Sequence, residues 1–173
     1  PDTDTWEEVQ DKPTPVTDVS GVLIGERVYI PGGLTAQGTL TPILEIYDPR
    51  QDAWSTGAPM PRALSHYALA DFEGKLYLFG GWDGGKTRAE VWIYDPDADA
   101  WLPGSAMAQA RMNADAAALT DRIVVAGGAN ENGAVNTLAS YFPSRENAAA
   151  GPWEIIGDLP AAGTAGWQAA AVN

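Results

Sequence analysis

The sequence predicts an all-β fold: three repeats of four short antiparallel strands, with an unpartnered outer strand at the N-terminus and an unpartnered inner strand at the C-terminus. One period governs three residue types, which is the first observation behind it. Glycine pairs at Gly32-Gly33, Gly80-Gly81 and Gly127-Gly128 stand 48 and 47 residues apart, and Tyr47, Tyr94 and Tyr141 stand 47 apart. Trp6, Trp54, Trp101 and Trp153 recur at intervals of 48, 47 and 52. The second observation is local: apolar runs are short and bounded by Gly, Pro and Asp at roughly ten-residue spacing, the pattern of strands. The third is that no long stretch keeps helical periodicity.

Taken in order, residues 1–12 hold Trp6-Glu-Glu-Val9, which matches a fourth strand without preceding partners. Full repeats follow over 13–60, 61–107 and 108–160, and residues 161–173 hold a first strand with nothing after it, Gly166-Trp-Gln-Ala-Ala-Ala-Val172. In the middle repeat the strands are His66–Ala70, Lys75–Phe79, Glu90–Tyr94 and a fourth beginning near Trp101. Second strands such as Val28–Ile30, Leu76–Phe79 and Ile123–Ala126 are apolar without alternation, so both their faces are buried. First strands are rich in small residues (Ala68, Ala70, Ala116, Ala117, Ala118, Ala169, Ala170, Ala171), which suits convergence on a crowded axis. Four-stranded sheets packed face to face around an axis make a β-propeller. The long interval before Trp153 has a local cause. Tyr and Trp lie 7 residues apart in two repeats and 12 apart in the third, so Arg145–Gly151 reads as a lengthened loop.

Composition excludes several functions. Net charge is −13, and only three lysines (Lys12, Lys75, Lys86) are present among scattered bases. Nucleic-acid binding and adhesion to an anionic membrane are therefore disfavoured. No apolar run approaches the roughly eighteen residues of a membrane span. Cysteine is absent and His66 is the single histidine, so thiolate sites and multi-histidine metal cages cannot form within one copy. The glycine-rich Gly80–Gly85 segment lacks the Lys-Ser/Thr of a phosphate loop. Asp95, Asp97 and Asp99 alternate like calcium ligands, but Ala100 and Ala106 stand where an EF-hand loop needs Gly and Glu. These aspartates read as turn caps. Neither a metal nor a cofactor is expected.

The combination of Gly-Gly after an apolar strand, Tyr47-Asp-Pro49 with Asp52-Ala-Trp54, and Tyr94-Asp-Pro96 with Asp99-Ala-Trp101 resembles the kelch repeat. The third unit departs from it at Tyr141-Phe-Pro143. The resemblance implies one propeller blade per repeat, with ligands bound where loops enter first strands and leave second strands. Arg62, His66, Trp82, Asp83, Arg111, Asn113, Asn130 and Asn132 would line that face. Arg62 and Arg111 could equally be paired with neighbouring carboxylates. Trp54, Trp101 and Trp153 recur once per blade and are assigned to packing, whereas Trp82 breaks the repeat, standing where Leu34 and Ala129 stand elsewhere.

The expected function is a non-catalytic module recognising a protein or glycan; the alternative is an enzyme using channel carboxylates on a sugar or sugar acid. A copper site of the galactose oxidase type cannot be complete without cysteine and with one histidine. Ser65-His66 lacks a G-x-S-x-G context for a hydrolase. Three blades are too few to close a propeller, which usually takes about four to eight. Further blades are expected from a longer parent chain, about six or seven in all by the resemblance, rather than from a second copy. The phase of the repeat disfavours a simple dimer, because each junction would lack two middle strands. Arginine outnumbers lysine seven to three and alanine is abundant, which suggests a GC-rich bacterial source. A secreted or cell-surface role suits the acidic, cysteine-free composition, as does a cytoplasmic one.

Overall fold

A computed structural model of the chain describes residues 5–159. Among them are three four-stranded antiparallel sheets, each running in chain order from its first to its fourth strand. Blade one contains Val22–Ile24, Arg27–Pro31, Leu44–Asp48 and Ala53–Gly57. Blade two contains Ala68–Phe72, Lys75–Phe79, Val91–Asp95 and Ala100–Gly104. Blade three contains Asp115–Ala118, Ile123–Ala126, Thr137–Tyr141 and Trp153–Asp158. Two short ribbons, Val16–Thr17 with Leu34–Thr35 and Ala129–Asn130 with Gly133–Ala134, sit on the connecting loops. Three such sheets form the β-propeller segment that the resemblance to the kelch repeat implies.

Blades pack face to face. In the first seam, Tyr29, Leu44 and Ile46 of blade one meet Leu76, Leu78 and Tyr94 of blade two. In the second, Tyr77, Phe79 and Val91 of blade two meet Ile123, Val125 and Tyr141 of blade three. Blade two is therefore covered on both sides, which explains the unalternating Leu76–Phe79 run. Register is preserved between repeats: Leu76 pairs with Tyr94 as Ile123 pairs with Tyr141. The equivalent face of blade one is less covered. Val28, Ile30 and Tyr47 are half-buried there, whereas Leu76, Leu78 and Tyr94 are buried.

A repeated clamp ties each blade to the one before. In blade two, Tyr94 Oη donates to Asp99 Oδ1 at 2.6 Å, and the same oxygen accepts the Ala58 N–H at 2.6 Å. Trp101 Nε1 donates to the Ala58 carbonyl at 2.8 Å, with its ring 5.1 Å from Tyr94. In blade one the members are Tyr47, Asp52 and Trp54, and they hold the N–H and carbonyl of Gln10 at 2.9 Å each. Blade three uses Tyr141, Glu146 and Trp153 to hold Ser105.

One detail of the sequence reading is corrected here and another is refined. Residues 5–12, expected to contain an outermost strand, have no strand pairing, and Trp6 is exposed. Among the described residues no other strand hydrogen-bonds to that segment. Even so, Gln10 is held as Ala58 and Ser105 are, at the end of what would be a preceding blade. The inner strand expected at 166–172 lies outside the described residues. The lengthened loop lies where expected, and the clamp locates it more closely. Glu146 follows Tyr141 by five residues, as Asp99 follows Tyr94, so the extra residues come after the carboxylate. Asp52 and Asp99 adopt φ of 45° and 46°, whereas Glu146 follows the short helix Pro143–Arg145 at φ −54° and uses its longer side chain.

A second substitution accompanies the first. Arg27 pairs with Asp48 at 3.5 Å and Lys75 with Asp95 at 2.7 Å. In blade three the partner is Phe142, and the Arg122 guanidinium lies 4.4 Å from its ring centroid, a cation–π contact in place of the cross-strand ion pair, while Arg122 pairs with its neighbour Asp121 at 2.8 Å. The glycine pairs have a steric cause as well. Gly80 sits at φ +65°, and a Cβ there would fall 2.4 Å from the Arg111 carbonyl.

Trp101→Ala removes both the ring and the bond to Ala58. The expected loss is about 3–5 kcal/mol, as for other large aromatic truncations in packed sites. Urea denaturation monitored by circular dichroism measures it, and a loss below about 0.5 kcal/mol, typical of surface substitutions, would contradict the clamp.

Candidate binding face

The loops that enter first strands and leave second strands meet at one end of the blades. Asp18, His66 and Asn113 occupy equivalent entry positions, 48 and 47 residues apart. Their φ angles are 59°, 56° and 53°, although none is glycine. That conformation costs about 1–2 kcal/mol for a residue with a Cβ, less for Asn and Asp, whose short polar side chains bond locally. The three are chained by backbone: His66 N–H donates to Asp18 O at 2.9 Å, and Asn113 N–H donates to His66 O at 2.8 Å. Asp18 and Asn113 are exposed and His66 is half-buried. A row of polar side chains thus follows the blade-to-blade hydrogen bonds.

His66 is fixed from several sides. Its Nδ1 lies 2.8 Å from Ser65 Oγ and its Nε2 lies 3.4 Å from Asp18 Oδ1. The Trp82 ring meets it nearly edge-on, with centroids 6.3 Å apart. Ser65 and Trp82 exchange backbone hydrogen bonds at 3.1 and 2.8 Å, which brings the blade-two loop against the entry segment. The Ser65, His66 and Asp18 contacts look like a nucleophile relay. However, Ser65 is wholly buried. Its hydroxyl orients the imidazole and has no room to meet a substrate.

Beside them, Asp83 organises the blade-two loop. Its Oδ1 accepts the Lys86 and Gly85 N–H groups at 2.8 and 3.0 Å, and its Oδ2 accepts Arg88 Nε at 2.6 Å. The Lys86 amide first, then the Arg88 guanidinium, hold its carboxyl down to about 2. Arg62 approaches Asp83 and Glu90 at 3.6 Å each. Arginine charges here are balanced by carboxylates. Glu131 of blade three accepts the Thr87 N–H at 2.6 Å and so joins adjacent loops.

Of the residues picked from the sequence, Arg62, His66, Trp82, Asp83 and Asn113 lie in this connected set. Asn130 Nδ2 donates to Ala110 O at 3.1 Å, and Asn130 Oδ1 accepts the Asn132 N–H at 2.9 Å, so both shape the blade-three loop. Arg111 does not present its side chain to this face. It is 3% exposed, and its guanidinium donates to Gly127 O at 3.1 Å and to Thr137 Oγ1 at 2.9 Å. No carboxylate pairs with it among the described residues, and burial lowers its pKa. Arg111 is equivalent to buried Leu64, 47 residues earlier, and Arg62 is equivalent to Gln109. Asp18, Arg88 and Glu90 were missed. One period back from His66 lands on Asp18, a signal available in the sequence; Arg88 and Glu90 carry no such mark.

Residues 15–61 and 63–108 match the family described as Kelch motif. Similar curated proteins include alpha-scruin of Limulus polyphemus, 34% identical over 34% of this chain and 6% of its own length. Human Kelch-like protein 34 is 39% identical over 34% of this chain and 9% of its own length. Kelch-like protein 36 of Bos taurus is 29% identical over 65% of this chain and 18% of its own length. Among solved structures, that titled "Structure of YjhT" superposes with a TM-score of 0.76 at 22% identity, covering 91% of this chain and 56% of the other. The chain thus spans less than a fifth of these curated relatives.

The Asp83 carboxylate gives a pH test. Its lowered pKa means that its stabilisation of the loop is present above the ordinary 3.8 and is lost only as pH falls through about 2. Carboxyl-carbon NMR titration is expected to place its midpoint near 2, and a midpoint near 3.8 would contradict the hydrogen-bond set.

Proposed function

Since the chain belongs to the kelch repeat family, we propose that it is part of a larger β-propeller acting as a non-catalytic binding module. The ligand is a protein or glycan, taken at the end where Asp18, His66, Trp82 and Asn113 meet. Kelch repeat proteins are often protein-binding modules, which supports this reading. The observation that carries it is the row of left-handed polar residues: a requirement of backbone shape alone is met most cheaply by glycine. The net charge of −13 favours a neutral or basic partner over an acidic one. Further blades from a longer polypeptide complete the ring. The half-buried face of blade one, where blade two buries the equivalent residues, supports that part.

The competing reading, chemistry on a sugar or sugar acid, rests on one observation. Asp71 and Glu73 line a cavity of about 700 Å³ between first strands, together with Val22 and Ala116–Ala118. Both readings are separated by screening the intact native protein on peptide and glycan arrays while assaying sugar substrates. The expected result is a ligand whose binding weakens in Trp82→Ala, with stability changed by no more than about 0.5 kcal/mol. Turnover that disappears in Asp71→Asn would overturn the non-catalytic reading.

A further inference from the structure

The two seams share one template but differ in size at one position. Trp92 and Ala139 each precede the clamp tyrosine by two residues. Trp92 pairs with Leu78 across the sheet, and Ala139 pairs with Val125. In the first seam, the Trp92 indole packs against the core formed by blades one and two. In the second seam, smaller residues replace both members of the pair, and a cavity of about 230 Å³ is left. Val125, Ala139, Trp153 and Ile155 line one side of it, and Met107 and Arg111 belong to the connection that crosses the other. Gln109 and Ile155 are exposed and mark its mouth.

The charge in this cavity wall is unusual. Arg111 is 3% exposed, and its Nε is buried without a hydrogen-bond partner. Its other nitrogens reach only carbonyl and hydroxyl oxygens of Gly127 and Thr137. Apart from Gln109 and Thr137, the remaining lining residues are apolar. A guanidinium in such a setting gains most from a carboxylate, by charge-assisted hydrogen bonds, and also attracts the face of an aromatic ring. We propose that this cavity is a binding site for a flat aromatic carboxylate of about indole size. The ring takes the space that Trp92 fills one blade earlier, and the carboxylate compensates Arg111. The site is separate from the loop face and does not depend on the function proposed there.

Indole-3-carboxylate is the probe, with indole as its neutral counterpart, in calorimetric titrations of the intact native protein. Saturable binding is expected for the acid, roughly tenfold or more tighter than for indole, a factor set by one charge-assisted contact. Ala139→Trp fills the space from within and is expected to abolish binding. Ala139→Leu, a smaller change that the fold tolerates more readily, is expected to weaken it by roughly tenfold. Trp82→Ala should leave it unchanged. Failure to saturate at millimolar concentration, equal affinity for indole, or unchanged affinity in either folded Ala139 variant would overturn the proposal.

Discussion

After the outermost strands of blades one and two, and in the segment ahead of blade one, one residue offers an amide N–H and a carbonyl, and the next blade takes both. A carboxylate accepts the N–H, a tryptophan indole donates to the carbonyl, and a tyrosine hydroxyl holds the carboxylate in place. Gln10, Ala58 and Ser105 are the residues held. Apolar seams supply adhesion between blades but little direction, because hydrophobic burial is non-directional. Hydrogen bonds to a fixed backbone site supply the register. The electrostatics agree: the Tyr94 and Ala58 donors hold Asp99 below the usual carboxylate range, while burial and the Asp99 hydrogen bond hold the Tyr94 phenol above its own.

With the blades held in register, the opposite ends of their inner loops fall into a fixed row. The Asp18, His66 and Asn113 backbone chain spans all three blades, and each link crosses a seam. The same register places the Gly80-Gly81 turn against the Arg111 carbonyl, where a side chain would collide. Binding groups on the face therefore vary in chemistry while their positions stay constant. The seams vary too: Trp92 fills one and Ala139 leaves the other open. A repeat scaffold can change a single position in this way because each blade contacts only its neighbours.

Much of the fold was legible in the sequence because the clamp uses rare residue types at a fixed interval. Tyrosine, tryptophan and paired glycine stand out against composition, and their spacing counts the three four-stranded sheets. What was not legible involved a residue changing type while keeping its task. Glu146 replaces an aspartate, and Phe142 replaces an aspartate in a contact with Arg122, so a motif search sees only loss. The face was legible in part. His66, Trp82, Asp83 and Asn113 lie together as expected, but Arg111, two residues out of register with Arg62 in the sequence, occupies the position of buried Leu64. Two residues of offset separate an arginine on the loop face from one sealed in a seam.

The amide of Ala58 reports on the clamp directly, since it donates to the Asp99 carboxylate. Native-state hydrogen exchange of this amide in the intact protein, compared with Asp99→Gly, isolates the interaction. Glycine suits the φ of 46° at that position, so the substitution removes the carboxylate without adding backbone strain. The expected result is an Ala58 amide protected like those of the sheets in the native protein, and exchanging at the rate of loop amides in the variant. An amide that exchanges equally in both, at the loop rate, would show that the seams alone set the arrangement of the blades.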